Sequence, residues 1–278
     1  MGDVVGSLIT PGEPEVLPNI RLSDEDYSLI YRDTEHGVPV ILEFNIQNRF
    51  LEDDLMAYNA VGEIPGTDKR DEVVMLGAHL DSWHMGTGAT DDGAGALVML
   101  EAMRILKAIN ARPRRTIRIA LWSGEEPDSV QVSGSVPEYR DVMGSSAYVL
   151  AHKQELDKIS AYFNLDSGTG RIRGIASEMY PYANPIFEQI LRPFRDLGVV
   201  AFRDEYSVCD DRCSFDRVGV PGFEFIQDPI DDDTYHTNID TYDALLLDDL
   251  KQAAVVVAST VYRLAMRDEM LPRKAHTK

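Results

Sequence analysis

Apolar residues along the 278-residue chain fall into two alternating patterns, short unbroken runs and longer stretches repeating every three to four positions. The first pattern reads as strands buried on both faces. It covers residues 72–78 (Glu-Val-Val-Met-Leu-Gly-Ala), 116–122, 159–165 and 222–226. The second reads as amphipathic helices. One is predicted over 92–109, with Leu97, Val98, Ala102, Ile105 and Ile109 on its apolar face. Another covers 144–153. A long C-terminal helix carries Leu246, Leu250, Ala254, Val257, Val261 and Leu264. Upstream, the run Ser23-Asp24-Glu25-Asp26 opens a short helix ending before Gly37, and half-buried strands are predicted over 38–46 and 58–64. Pro65-Gly66-Thr67-Asp68 reads as a turn. Buried strands alternating with helices predict an α/β protein, a three-layer α/β/α sandwich around a central mixed, mainly parallel sheet.

In such a sheet ligands gather at the carboxyl ends of the strands. The strand over 72–78 runs into His79-Leu80-Asp81, that over 116–122 into Glu125-Glu126, and that over 159–165 into Asp166. The strand over 222–226 is followed by an acidic loop closing on Tyr235-His236, and Thr90-Asp91-Asp92-Gly93 precedes the helix after the first strand. Two imidazoles and three carboxylates on one sheet edge suit a borderline divalent metal, above all zinc. Five ligands are too many for one catalytic zinc, which takes three protein ligands and water. Sharing one carboxylate between two ions resolves the count and gives a two-metal hydrolytic clamp. Asp91, confined at a glycine-rich helix start, is the expected bridge, with Asp92 as helix N-cap. Asp81, two residues from His79 on the same face, is expected to orient its ring. Of Glu125 and Glu126, one binds metal and the other moves the proton of the attacking water.

Composition narrows the function further. Acidic residues number 47 against 27 basic, a formal charge of −20, which repels nucleic-acid phosphates and anionic lipid and favours cations. No partner of either kind is expected, and no apolar run is long enough to span a bilayer. Residues 1–3 show no basic and apolar leader, so no signal peptide is predicted on this chain. The two cysteines, Cys209 and Cys213, are expected as free thiols, with a short bridge between them as the alternative. Gly86-Thr-Gly-Ala-Thr-Asp91 starts like a dinucleotide loop, but two acids at the helix start would repel a pyrophosphate.

The segments His79-Leu-Asp-Ser82, Thr90-Asp-Asp-Gly-Ala-Gly95, Trp122-Ser-Gly-Glu-Glu126, Asn164-Leu-Asp166 and Tyr235-His-Thr237 stand in the order found in the M28 family of zinc peptidases. From about Val16 onward the wording resembles the subgroup of carboxypeptidase Q and related bacterial aminopeptidases, including the stretch 112–122 and the ending Glu269-Met-Leu-Pro-Arg273. The resemblance implies a two-zinc exopeptidase of short peptides, above all an aminopeptidase. A metal-held water would be the nucleophile and Glu125 the general base. His79 and Asp166 would hold one zinc, Glu126 and His236 the other, with Asp91 between them and Asp81 behind His79. It also implies a cis peptide between Asp91 and Asp92, and Tyr235 as hydrogen-bond donor to the oxyanion. Residues 1–50 would be a lead-in and the remnant of a protease-associated insert, and 51–278 the catalytic domain. Two departures stand out: an extra stretch over 127–143, expected as a loop beside the site, and Arg212 where relatives have His, expected to alter the substrate pocket. The rival readings are a dipeptidase or carboxypeptidase of the same family, a one-zinc acyltransferase like glutaminyl cyclase, and a non-catalytic domain that has lost its ligands.

Overall fold

The computed structural model of the chain describes residues 22–45, 56–83, 86–126, 142–178, 180–203, 209–228 and 234–273. The lead-in over 1–20 and almost all of the extra stretch over 127–143 lie outside these residues.

Seven strands form one sheet: β1 (Ala60–Ile64), β2 (Lys69–His79), β3 (Arg115–Trp122), β4 (Ile159–Asn164), β5 (Ile172–Ala176), β6 (Ala201–Arg203) and β7 (Gly222–Gln227). Their order across the sheet is β1-β3-β2-β4-β7-β5-β6. The four central strands β3, β2, β4 and β7 run parallel, with Gly77 of β2 opposite Ala120 of β3 and Asn164 of β4. Strand β1 joins antiparallel to β3, and β5 antiparallel to β7. The sheet is mixed and mainly parallel, as the pattern predicts.

Both faces are covered, which is why the central strands read as unbroken apolar runs. Side chains alternate along β2. Val74, Leu76 and Ala78 face a core shared with helices α2 (Ala94–Ala108), α4 (Asn184–Leu191) and α6 (Leu247–Ala265). Val73 and Met75 face a smaller core under α3 (Met143–Ala151) and α5 (Arg212–Asp216). In the larger core Phe163 meets Phe187, Phe223 and Phe225. In the smaller one Tyr162 stacks on Phe215 with ring centroids 4.3 Å apart. Among the described residues no helix is long and apolar enough to cross a membrane.

Several expectations need correction. Of the predicted strand over 38–46, the described residues 38–45 are irregular and mostly exposed, with no partner strand among the described residues. The predicted helix up to Gly37 is present as α1 (Asp24–Glu35), capped by the Ser23 side chain accepting from the Asp26 N–H. The apolar face of α2 is rotated. Leu97 and Ile109 are 51% and 66% exposed, and the buried stripe is Val98, Met99, Ala102 and Leu106. In α6 the stripe holds from Leu250 to Leu264, but Leu246 lies outside the helix and is 48% exposed. The segment carrying β5 and α4 went unassigned because its strand, Ile-Arg-Gly-Ile-Ala, is short and interrupted by Arg and Gly. Cys209 and Cys213 are joined as a disulfide and are not free thiols.

The rotated face of α2 gives a direct comparison. Met99→Ala is expected to destabilise the fold by about 2–5 kcal/mol, as large-to-small changes in a packed core do. Leu97→Ala is expected to cost about 0.5 kcal/mol or less. Denaturant unfolding measures both, and the reverse order would place α2 in the sequence-predicted orientation.

Candidate metal centre

The four parallel strands bring their carboxyl ends to one edge, and the residues that follow them meet there. His79 is the last residue of β2 and lies opposite Trp122, the last of β3. Its Nδ1 lies 2.9 Å from the backbone oxygen of Asp81. A carbonyl only accepts, so Nδ1 carries the proton and Nε2 offers its lone pair to the site. That Nε2 is 3.2 Å from Asp91 Oδ1 and 3.4 Å from Asp166 Oδ1. Opposite, His236 Nε2 is 3.2 Å from Asp91 Oδ2 and 3.2 Å from Glu126 Oε2. The two oxygens of Asp91 therefore face two different imidazoles.

Local structure fixes these groups. The Asp91–Asp92 peptide is cis, as the resemblance implies. Asp92 points away from Asp91 into the helix start, where Oδ1 accepts from Gly95 N–H and Oδ2 from His79 N–H. Both of its oxygens are thus engaged by backbone donors, although the group also lies close to His79 and Asp166. His236 sits in the left-handed region at φ 57°, with the rings of Tyr235 and Trp83 packed against it at 3.8 and 4.8 Å.

Asp81 stands behind His79 with its backbone oxygen 2.9 Å and its carboxylate Oδ1 3.7 Å from Nδ1. The carboxylate also holds the next loop, accepting from Gly124 N–H at 2.8 Å and from Glu125 and Glu126 N–H at 3.1 Å each. A charged acceptor gathering three successive amides presents Glu125 and Glu126 to the site as one unit.

The electrostatics call for a cation. Asp91 Oδ2 and Glu126 Oε1 are buried without a hydrogen-bond partner. Buried carboxylates outnumber the imidazoles, a costly arrangement unless positive charge is supplied. The proton affinities express that deficit. Burial works against a charged His79, but the carboxylates of Asp166, Asp81 and Asp91 outweigh it and hold the imidazole far above its ordinary range. His236 is likewise raised to about 9, with burial opposed by Asp91 and Glu126. Burial, reinforced by the charges of Asp166 and Asp211, pushes Glu125 up to about 10. The donor set, two imidazoles with carboxylates and no thiolate, fits zinc.

Tyr235 is 55% exposed, and its hydroxyl is kept protonated by burial and by the surrounding carboxylates. Arg212 is fully buried, with Nε 3.3 Å from Glu178 and 3.3 Å from Asp210. Two further contributors, Glu224 and Trp83, lie outside the motifs, and Asp240 follows His236 in sequence. Glu224 accepts from Asp166 N–H at 2.9 Å, and its signal was a charge inside a buried strand. Trp83 packs on His236, and Asp240 binds the loop that carries Asp91. A separate cavity of about 450 Å³ between β1 and α3 includes none of these residues, and Arg118 in its wall is already paired with Glu63 and Glu155.

The model of peptidase family M28 matches residues 59–261. Carboxypeptidase Q of Rattus norvegicus is 30% identical over 269 residues, covering 94% of this chain and 52% of its own length. A peptidase M28 precursor from Shewanella amazonensis superposes with a TM-score of 0.77 at 26% identity, over 99% of this chain and 59% of that one. A zinc aminopeptidase from Bacillus subtilis gives a TM-score of 0.58 at 25% identity, over 76% of this chain and 50% of that one. The chain spans about half the length of the curated relatives it matches.

The role of the Asp81 carboxylate can be read by hydrogen exchange. In Asp81→Asn an amide N–H₂ faces backbone donors, and an unsatisfied donor costs about 1–3 kcal/mol. Exchange at the amides of Gly124, Glu125 and Glu126 is expected to speed up roughly tenfold or more, since about 1.4 kcal/mol is a factor of ten. Unchanged protection there would show that another group holds the loop.

Proposed function

The chain belongs to peptidase family M28, and on that premise we propose that it is a co-catalytic di-zinc exopeptidase of short peptides, acting as an aminopeptidase, with residues 51–278 as its catalytic domain. The observation that carries the reading is the Asp91 carboxylate, with one oxygen 3.2 Å from His79 Nε2 and the other 3.2 Å from His236 Nε2. In this reading His79 and Asp166 hold one zinc, Glu126 and His236 the other, and Asp91 both. When bound, the zinc pair supplies an acidified water and polarises the scissile carbonyl.

The chain's own residues do the rest. Glu125, next to the ligand Glu126, accepts the proton of the attacking water and returns it to the leaving amine. Burial among like charges raises its proton affinity, and bound dications would lower it. Asp81 keeps Glu125 in place through the backbone of 124–126. Tyr235 donates its hydroxyl to the oxyanion of the tetrahedral intermediate. The excess of carboxylates attracts the ammonium of a free peptide N-terminus, which favours an aminopeptidase over a carboxypeptidase. The second ligand pair, His236 and Glu126, favours two ions over the single zinc of a cyclase-like acyltransferase.

The test is zinc content together with hydrolysis of aminoacyl-anilides and dipeptides, before and after chelation. Two zinc ions per chain are expected, with turnover lost to the chelator and restored by zinc. Glu125→Gln is expected to retain both ions and to lose about 10²–10⁴-fold in turnover, the span of general acid–base catalysis. Turnover that survives chelation, or an active Glu125→Gln variant, would contradict the mechanism. One zinc without hydrolysis would favour the acyltransferase.

A further inference from the structure

We propose that Asp240 is the positioning residue that keeps Asp91 between the two imidazoles, so that without it the chain loses its hold on the ion at the His236 side. The inference rests on the two-zinc reading above. Asp240 lies four residues after His236 and is 4% exposed. Its Oδ1 accepts from Thr90 N–H at 2.6 Å and from Thr90 Oγ1–H at 2.8 Å, and its Oδ2 accepts from Asp91 N–H at 3.2 Å. Its backbone oxygen accepts from Thr87 N–H at 2.9 Å and from Thr87 Oγ1–H at 3.0 Å. One residue thus clasps the loop before the Asp91–Asp92 bond to the turn that carries His236. The two segments touch without spare room: a Cβ on Gly86 would meet Thr237 O at 2.7 Å and Asp240 Cβ at 3.2 Å.

The chemistry of the clasp is selective. Every group facing the Asp240 carboxylate is a donor, so only an acceptor-only side chain satisfies all three. An asparagine would satisfy the Thr90 pair through its oxygen and set its N–H₂ against Asp91 N–H. The effect is also uneven, reaching both ions through Asp91 but falling harder on the His236 side, where both clasped segments supply ligands. His79 ends β2 and Asp166 follows β4, strands hydrogen-bonded directly to each other, and Asp166 is held by Glu224. Their placement does not pass through Asp240. The meeting of His236 with Asp91 does, because each stands on one of the two clasped segments. Groups that orient metal ligands in this way are worth about 10–100-fold in metal affinity.

The experiment is a zinc titration against a chromophoric chelator on the full chain. It compares wild type, Asp240→Asn, Thr90→Val and, as reference for loss of the His236 side, His236→Ala, with circular dichroism of the zinc-free proteins as fold control. Wild type is expected to take up two ions tightly. Asp240→Asn is expected to keep one tight ion and to bind the second about 10–100-fold more weakly. Thr90→Val removes the hydroxyl, with its contacts to Asp240 and to Thr234 Oγ1, leaves both backbone donors to Asp240, and is expected to weaken the same site by less. An Asp240→Asn variant that binds both ions like wild type, or weakens both equally, overturns the proposal. Should Asp240→Asn fail to fold, an unchanged second site in Thr90→Val overturns it. A wild-type chain that takes up no zinc overturns the two-zinc reading itself, and this inference with it.

Discussion

A carboxylate shared between two imidazoles organises the molecule. Asp91 offers one oxygen to His79 and the other to His236, and everything around it either crowds more negative charge into the same space or fixes the backbone that makes the crowding permanent. Asp166 and Glu126 add their charges, and Glu125 stands close enough to share the field. Such a cluster is unfavourable in a water-poor interior unless cations answer it. The fold supports it because the remaining forces, two apolar cores and a seven-stranded sheet, hold the groups in place.

The sheet topology makes the meeting inevitable. Parallel neighbours end on the same edge, so the residues after β3, β2, β4 and β7 converge without long excursions of the chain. Strand ends supply position only to within a few ångströms, and polar groups behind the ligands refine it. The Asp81 carboxylate gathers the 124–126 amides, Asp92 ties the helix start to His79, and Glu224 receives the amide of Asp166. These groups spend their hydrogen bonds on backbone donors and leave the ligand oxygens open. That separation of roles is visible in the unsatisfied atoms, Asp91 Oδ2 and Glu126 Oε1, which lie on the ligand side.

The central sheet and the candidate residues at its edge are legible in the sequence because both have local signatures. A run such as Val73 to Ala78 has no use except burial, and His79 and Asp166 each follow directly on a buried strand. What was not legible depends on tertiary context. Nothing local shows that Val38 to Asn45 finds no partner strand among the described residues, or that α2 turns Leu97 outward and Met99 inward. The role of Asp81 was read from its spacing to His79, yet its carboxylate serves a loop more than forty residues away in sequence. The burial of Arg212 between Glu178 and Asp210 has no local signature either. Asp240 carried no motif of its own, since its partners Thr90 and Asp91 are 150 and 149 residues distant.

The most direct measurement is anomalous diffraction at the zinc edge from crystals of the chain grown with zinc. The account predicts two peaks about 3.5–4 Å apart, the spacing of a two-metal hydrolytic site, on either side of the Asp91 carboxylate. One would be bound by His79 and Asp166, the other by His236 and Glu126. A single peak, or peaks that leave Asp91 unligated, would contradict it.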